Sequence, residues 1–164
     1  MRRVVSDTGP LISLEKLSGG VRLMHQLYDR IIVPPAVLAE VSYDEGRPEN
    51  YLERYGLKNL LAVEDVQSDV QIPGIKRLHE GEIQAIRLAL ELELPLLIEE
   101  TAGRRAAQEA GCLISGIAGQ IVKAHRNGFL KKDQAREMLA EMVRNRRINE
   151  RIYDRLVSTL KRES

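Results

Sequence analysis

Val4-Val5-Ser6-Asp7-Thr8-Gly9-Pro10-Leu11-Ile12-Ser13-Leu14 is the stretch on which the fold turns. A β-branched run ends abruptly in an aspartate, and turn and helix-start residues follow at once. Val4 and Val5 read as a buried strand. Thr8 and Gly9 make the turn, and Pro10 suits the first turn of a helix, where its missing N–H is not needed. Asp7 therefore stands at the carboxyl end of a strand, the end that faces the ligand crevice in open α/β sheets. A single aspartate in that position is also a common helix cap. Its meaning depends on whether other acids come to meet it.

Outward from this start, strands and helices alternate. An amphipathic helix runs from Leu11 to Leu17, Ser18-Gly19-Gly20 breaks it, and a second helix covers Val21 to Tyr28. Ile31-Ile32-Val33 is the next strand, closed by Pro34-Pro35, where a helix with Ala36, Val37, Leu38 and Val41 begins. Asp44 to Tyr55 is polar and reads as a loop with a short helix. Leu60 to Val63 forms a short strand, and Gln67 to Lys76 a linker with Pro73-Gly74. The helix from His79 through Leu90 precedes a strand over Leu94 to Ile98. Thr101 opens another helix, which Gly111 closes. Cys112 to Ile114 is the last strand, followed by a helix from Ile117 to His125 and two tail helices. Such alternation predicts an α/β fold with a mostly parallel sheet covered on both faces.

Composition narrows the functional classes. The chain has 164 residues, the size of one domain with a proper core. With no tryptophan and one phenylalanine the core is aliphatic, and base stacking on an aromatic platform is not the expected mode of recognition. Net charge is only +1, but from Lys131 onward ten Lys/Arg face six Asp/Glu. Such a basic tail is a solvated helical face or an RNA-facing one. Its apolar positions, Met138, Leu139, Met142 and Val143 and then Ile152, Leu156 and Leu160, predict docking on the sheet or on a second subunit. The lone Cys112 excludes an internal disulfide and reads as a small buried residue. Met1-Arg2-Arg3 lacks the apolar run of a secretory signal and no stretch is long enough to span a bilayer, so a cytoplasmic protein without a membrane partner is expected.

Acids then recur at four places. Asp7 and the pair Glu99-Glu100 end strands, whereas Glu40 and Glu82 interrupt apolar helix stripes. Glu40 shares a face with Ala36 and Val37, and Glu82 extends the stripe of Ala85, Ile86 and Ala89. Alone, Glu40 reads as solvent-facing and Glu82 as a first-turn partner of the helix dipole. Together they require a cation, because a buried unpaired carboxylate costs several kcal/mol. All-oxygen donors select Mg²⁺ or Mn²⁺, and such ions can clamp a phosphoryl displacement. His79 and His125 fit no metal spacing and read as surface or capping residues. Neither a Gly-x-Gly-x-x-Gly turn nor a Walker lysine loop supports a nucleotide-binding reading.

The combination resembles a PIN domain, specifically a PIN-like subgroup similar to VapC-type toxin ribonucleases. Val5-Ser6-Asp7-Thr8-Gly9-Pro10-Leu11-Ile12 carries the resemblance, with Ile32-Val33-Pro34-Pro35-Ala36-Val37 and Glu40, and Glu80-Gly81-Glu82-Ile83-Gln84-Ala85-Ile86. Glu99-Glu100 with Gly103-Arg104-Arg105, Arg147-Ile148-Asn149 and Tyr153 complete it. The resemblance implies a Rossmann-like three-layer α/β/α fold over 1–164, with the two helices of 131–164 belonging to the same domain. It further implies a Mg²⁺- or Mn²⁺-dependent endoribonuclease, the toxin of a type II pair, with an RNA substrate, a cognate antitoxin and a homodimer. Asp7, Glu40 and Glu82 map onto the family's acids. The fourth is Glu99, which directly follows the strand, with Glu100 as its alternative; the family usually carries two aspartates here, and glutamate reaches one methylene further. Arg104 and Arg105 then meet substrate phosphate or pair with the acids. The alternative is a catalytically weakened PIN-like module that binds a protein or RNA partner.

Overall fold

Val4 and Val5 are both completely buried, and they face opposite sides of a parallel sheet. A computed structural model describes residues 1–162; Glu163 and Ser164, the end of the expected domain, lie outside the described residues. Strand β1 (Arg3–Ser6) is central. It pairs in parallel with β2 (Arg30–Val33) on one side and β4 (Leu96–Leu97) on the other, with Val5 opposite Ile32 and Leu96. Strands β3 (Leu61–Val63) and β5 (Ile114–Ser115) complete the order β3-β2-β1-β4-β5, and every pair is parallel. Strand order reverses between β1 and β4, which makes a switch point at their carboxyl ends.

Alternation along the strands divides the core. Val4, Ile31 and Leu97 join one cluster with α1 (Thr8–Lys16), α2 (Gly20–Leu27) and α7 (Ile117–Arg126). Val5, Ile32 and Leu96 join the other with α5 (Glu80–Leu92) and α6 (Thr101–Glu109). This is the expected three-layer α/β/α arrangement. Helix α3 (Pro35–Val41) enters through a proline in its first turn and buries Val37. The tail helices α8 (Lys132–Arg144) and α9 (Glu150–Arg162) pack on α7 and on each other, burying Leu139, Met142 and Leu160. Their apolar stripes thus cover a helix that itself lies on the sheet.

Local departures from the sequence reading have simple causes. The strand expected over Leu94 to Ile98 is regular only at Leu96–Leu97; Pro95 has no N–H to donate, although its carbonyl still accepts from Val5 at 3.0 Å and the Ile98 N–H donates to Ser115 at 2.9 Å. The strand expected over Cys112 to Ile114 lies at Ile114–Ser115 instead, and Leu113, just before this edge strand, is 78% exposed. Cys112 is half-buried rather than buried, and partial desolvation pushes its thiol pKa up. The polar segment after Asp44 contributes α4 (Pro48–Arg54), which buries Tyr51 completely while its hydroxyl donates to Glu15 at 3.2 Å. An amphipathic tyrosine thus reaches the core from the short helix expected within this polar segment.

Candidate active site

Helix α1 begins at Thr8, two residues before Pro10, so Asp7 occupies the N-cap position. Its side chain makes no cap hydrogen bond, so capping does not explain this aspartate. Asp7 is only 6% exposed, and burial pushes its pKa up to about 6. The neighbouring Thr8 amide opposes that rise, the negative charges of Glu82 and Glu40 add to it, and His79 offsets a little. Asp7 thus shares an electrostatic neighbourhood with residues 33 and 75 positions away.

The start of α5 is where these groups meet. Gly81 is the second residue of that helix, and a Cβ there would sit 3.2 Å from Glu40 Oε2 and 3.8 Å from Asp7 Oδ1. The carboxylates of Asp7 and Glu40 therefore approach one glycine backbone. Glu40 is exposed as a residue, yet its Oε2 accepts a hydrogen bond from the Thr8 hydroxyl at 2.7 Å, which turns it toward the start of α1. Glu82 is 3% exposed. Its Oε1 accepts the His79 backbone N–H at 3.0 Å, the reach-back half of a capping box. Its Oε2 is buried without any hydrogen-bond partner, and a Cβ at Gly103 would come within 2.5 Å of it. Glycine at 81 and 103 makes the room in which these carboxylates stand.

Glu99, the fourth acid expected from sequence, and Glu100, its alternative, take different places. Glu99 follows β4 across the switch point from Asp7 and is held from three sides. Its Oε1 accepts the Ser13 hydroxyl at 2.6 Å and faces Arg147 Nη2 at 3.4 Å, while Oε2 accepts the Ile117 N–H at 2.9 Å. Arg147 also donates to Ser13 Oγ at 2.8 Å and to the Gly9 carbonyl at 3.0 Å. Glu100 is exposed at the start of α6, with Oε2 3.7 Å from His79 Nε2. His79, Glu82 and Glu100 each present one ligand atom within 4.8 Å of the others, a grouping that excludes Asp7, Glu40 and Glu99.

The remaining candidates separate clearly. Arg104 donates through Nη1 to the Ile98 carbonyl at 2.8 Å. Arg105 is exposed and lines a groove of about 1070 Å³ with Lys76, Arg77 and Glu100, between α6 and the turn at 73–77. His125 Nδ1 bonds the Leu130 carbonyl at 2.9 Å, a structural role. Sequence reasoning assigned no role to Ser13 and set His79 aside. The signal for His79 lay in its position three residues before Glu82 at a helix start, the spacing of a capping box.

This architecture has relatives. A family model described as a PIN domain, DUF3368, matches residues 3–162. The chain belongs to the PIN-domain family. A solved PilT N-terminus domain protein, SSO1118 from the hyperthermophilic archaeon Sulfolobus solfataricus P2, is 16% identical with a TM-score of 0.52, over 74% of this chain and 92% of that one. A domain of a functionally unknown protein from Methanocaldococcus jannaschii is 20% identical with a TM-score of 0.45, over 71% and 91% of the two chains. At these identities the first likeness bears on fold alone. No curated protein matches the sequence. Membership of the PIN family suggests a nuclease-type function, and PIN domains typically use divalent metals. Among the described residues no helix is long and apolar enough to cross a membrane.

Proposed function

We propose that this PIN domain is a Mg²⁺- or Mn²⁺-dependent endoribonuclease, acting as the toxin of a type II toxin–antitoxin pair. The observation that carries the proposal is Glu82 Oε2, a buried carboxylate oxygen with no partner, on the helix start that Asp7 and Glu40 also approach and close enough for its charge to raise the Asp7 pKa. Uncompensated carboxylates at close quarters are stable only when protonated or when a cation joins them. The donors are oxygens on glycine-spaced backbone, which suits a hard divalent ion. Asp7, Glu40 and Glu82 would hold it, with Glu100 reaching in from the other rim. When bound, the ion supplies Lewis-acid polarisation of a phosphodiester and an acidified water for hydrolysis.

The chain's own residues do the rest. Thr8 orients Glu40 through its hydroxyl, and the His79 amide fixes one oxygen of Glu82 so that the other stays available. Arg147 and Ser13 hold Glu99 at the rim, which locks the carboxyl end of β4 to α1. The exposed Lys76, Arg77 and Arg105 along the adjoining groove provide positive charge for a polyanionic backbone leading to the acids. A cognate antitoxin, a homodimer and a cytoplasmic location complete the proposal.

The test is cleavage of end-labelled single-stranded RNA with Mn²⁺ present. Cleavage that disappears in Asp7→Asn supports the proposal. No cleavage, or cleavage that survives the substitution, contradicts it. One observation favours the second reading, a catalytically weakened module that binds a protein or RNA partner. Glu99 has both oxygens engaged by the protein itself, so one acid after β4 is already neutralised.

A further inference from the structure

His79 faces two acids at ion-pair range. His79 Nε2 stands 3.6 Å from Glu82 Oε1 and 3.7 Å from Glu100 Oε2. Both separations exceed hydrogen-bonding distance, so the imidazole is not simply bonded to either carboxylate. Metal–ligand bonds of about 2.0–2.2 Å place neighbouring donor atoms about 3.0–3.6 Å apart, close to the spacing seen. The three residues are also well fixed. His79 is the N-cap of α5, Glu100 is the N-cap of α6, and Glu82 is held by the His79 amide. Glu82 supplies the independent sign of a ligand, because it is almost wholly buried and its second oxygen has no partner.

We infer that His79 is a metal-ligating residue, which joins Glu82 and Glu100 to form a mixed nitrogen and oxygen site between the starts of α5 and α6. The inference rests on the metal-dependent reading above and deepens it by naming the class of ion. An imidazole donor ranks first-row transition ions above Mg²⁺, which keeps its waters and favours oxygen. The site is therefore selective for Mn²⁺ and its heavier neighbours over Mg²⁺.

The test loads the full chain with Mn²⁺ and records electron spin-echo envelope modulation, alongside calorimetric titrations with Mn²⁺ and with Mg²⁺. Imidazole ¹⁴N modulation is expected in the wild type and is lost in His79→Asn, which retains a good helix cap. His79→Gln replaces it if circular dichroism shows the first variant misfolded. Mn²⁺ affinity falls about tenfold or more in the variant while Mg²⁺ affinity stays within about twofold. Bound Mn²⁺ without nitrogen modulation overturns the inference and leaves the nuclease reading standing. So does modulation that persists in the variant, which would come from His25 or His125. No Mn²⁺ binding at all overturns both. Nitrogen modulation in a protein that fails to cleave RNA supports the site and removes only the nuclease.

Discussion

Two acids end neighbouring strands on either side of the switch point, Asp7 after β1 and Glu99 after β4, and their surroundings could hardly differ more. Asp7 is buried among other carboxylates, makes no cap hydrogen bond, and has a pKa pushed up to about 6. Glu99 is ringed by donors, with Ser13, the Ile117 amide and Arg147 around its two oxygens. One side of the switch point concentrates unsatisfied negative charge, and the other neutralises it within the fold. A strand-end acid is therefore not a site by its place alone. What distinguishes a cation site from a structural anchor is whether the protein has already supplied the counter-charge.

That contrast can be broken by substitution. The largest expected effect falls on activity in Asp7→Asn and Glu82→Gln. Each should reduce Mn²⁺-dependent RNA cleavage beyond the ~100-fold typical of losing an outer-sphere partner of a metal. Glu99→Gln should cost far less, and equal losses in all three would erase the distinction.

The same contrast has a pH signature in metal-free protein. Asp7 has a folded-state pKa of about 6 against an ordinary 3.8, so the folded chain binds this proton more tightly than the unfolded chain. Its stabilisation is fully present below pH 3.8 and is lost as pH rises through about 6. At pH 7 Asp7→Asn should then be more stable than the wild type without metal, by up to about 3 kcal/mol. Urea midpoints at pH 4 and pH 7 check this, and a wild type whose stability rises across the interval contradicts it. Added Mn²⁺ should reverse the order at pH 7.

Packing around the acids gives smaller effects. Gly103→Ala puts a methyl 2.5 Å from Glu82 Oε2 and 2.7 Å from Ile98 Cδ1. Thermal unfolding should register a loss of about 1–3 kcal/mol from overpacking, despite the better helix propensity of alanine. On the other flank, Arg147→Met leaves Glu99 without its cation, and a partly exposed pair should cost about 1–2 kcal/mol while Mn²⁺ affinity is unchanged. A large loss of metal binding in Arg147→Met would move Glu99 into the site.

Much of this arrangement was legible in the residues. Val4-Val5 before Asp7, and Ile31 to Val33 before two prolines, announce parallel strands because short β-branched runs must be buried on both faces. Glu82 stood out because a carboxylate interrupts an otherwise apolar stripe, and burial at 3% exposure follows. The fates of Glu99 and Glu100 were not legible. Adjacent residues point in different directions, and which one meets Arg147 depends on a loop nearly fifty residues further on. His79 was hidden for a related reason: its partner Glu100 lies twenty-one residues away, so no sequence spacing advertises the grouping. Tyr51 escaped notice because a polar neighbourhood masks one buried ring.

The most direct measurement is a calorimetric Mn²⁺ titration at pH 7 of the wild type, Asp7→Asn, Glu82→Gln and Glu99→Gln. Binding in the wild type and in Glu99→Gln, with binding lost in Asp7→Asn and Glu82→Gln, is the expected result. Failure of the wild type to bind, or loss in Glu99→Gln with retention in Asp7→Asn, would contradict a cation site built on the unsatisfied side of the switch point.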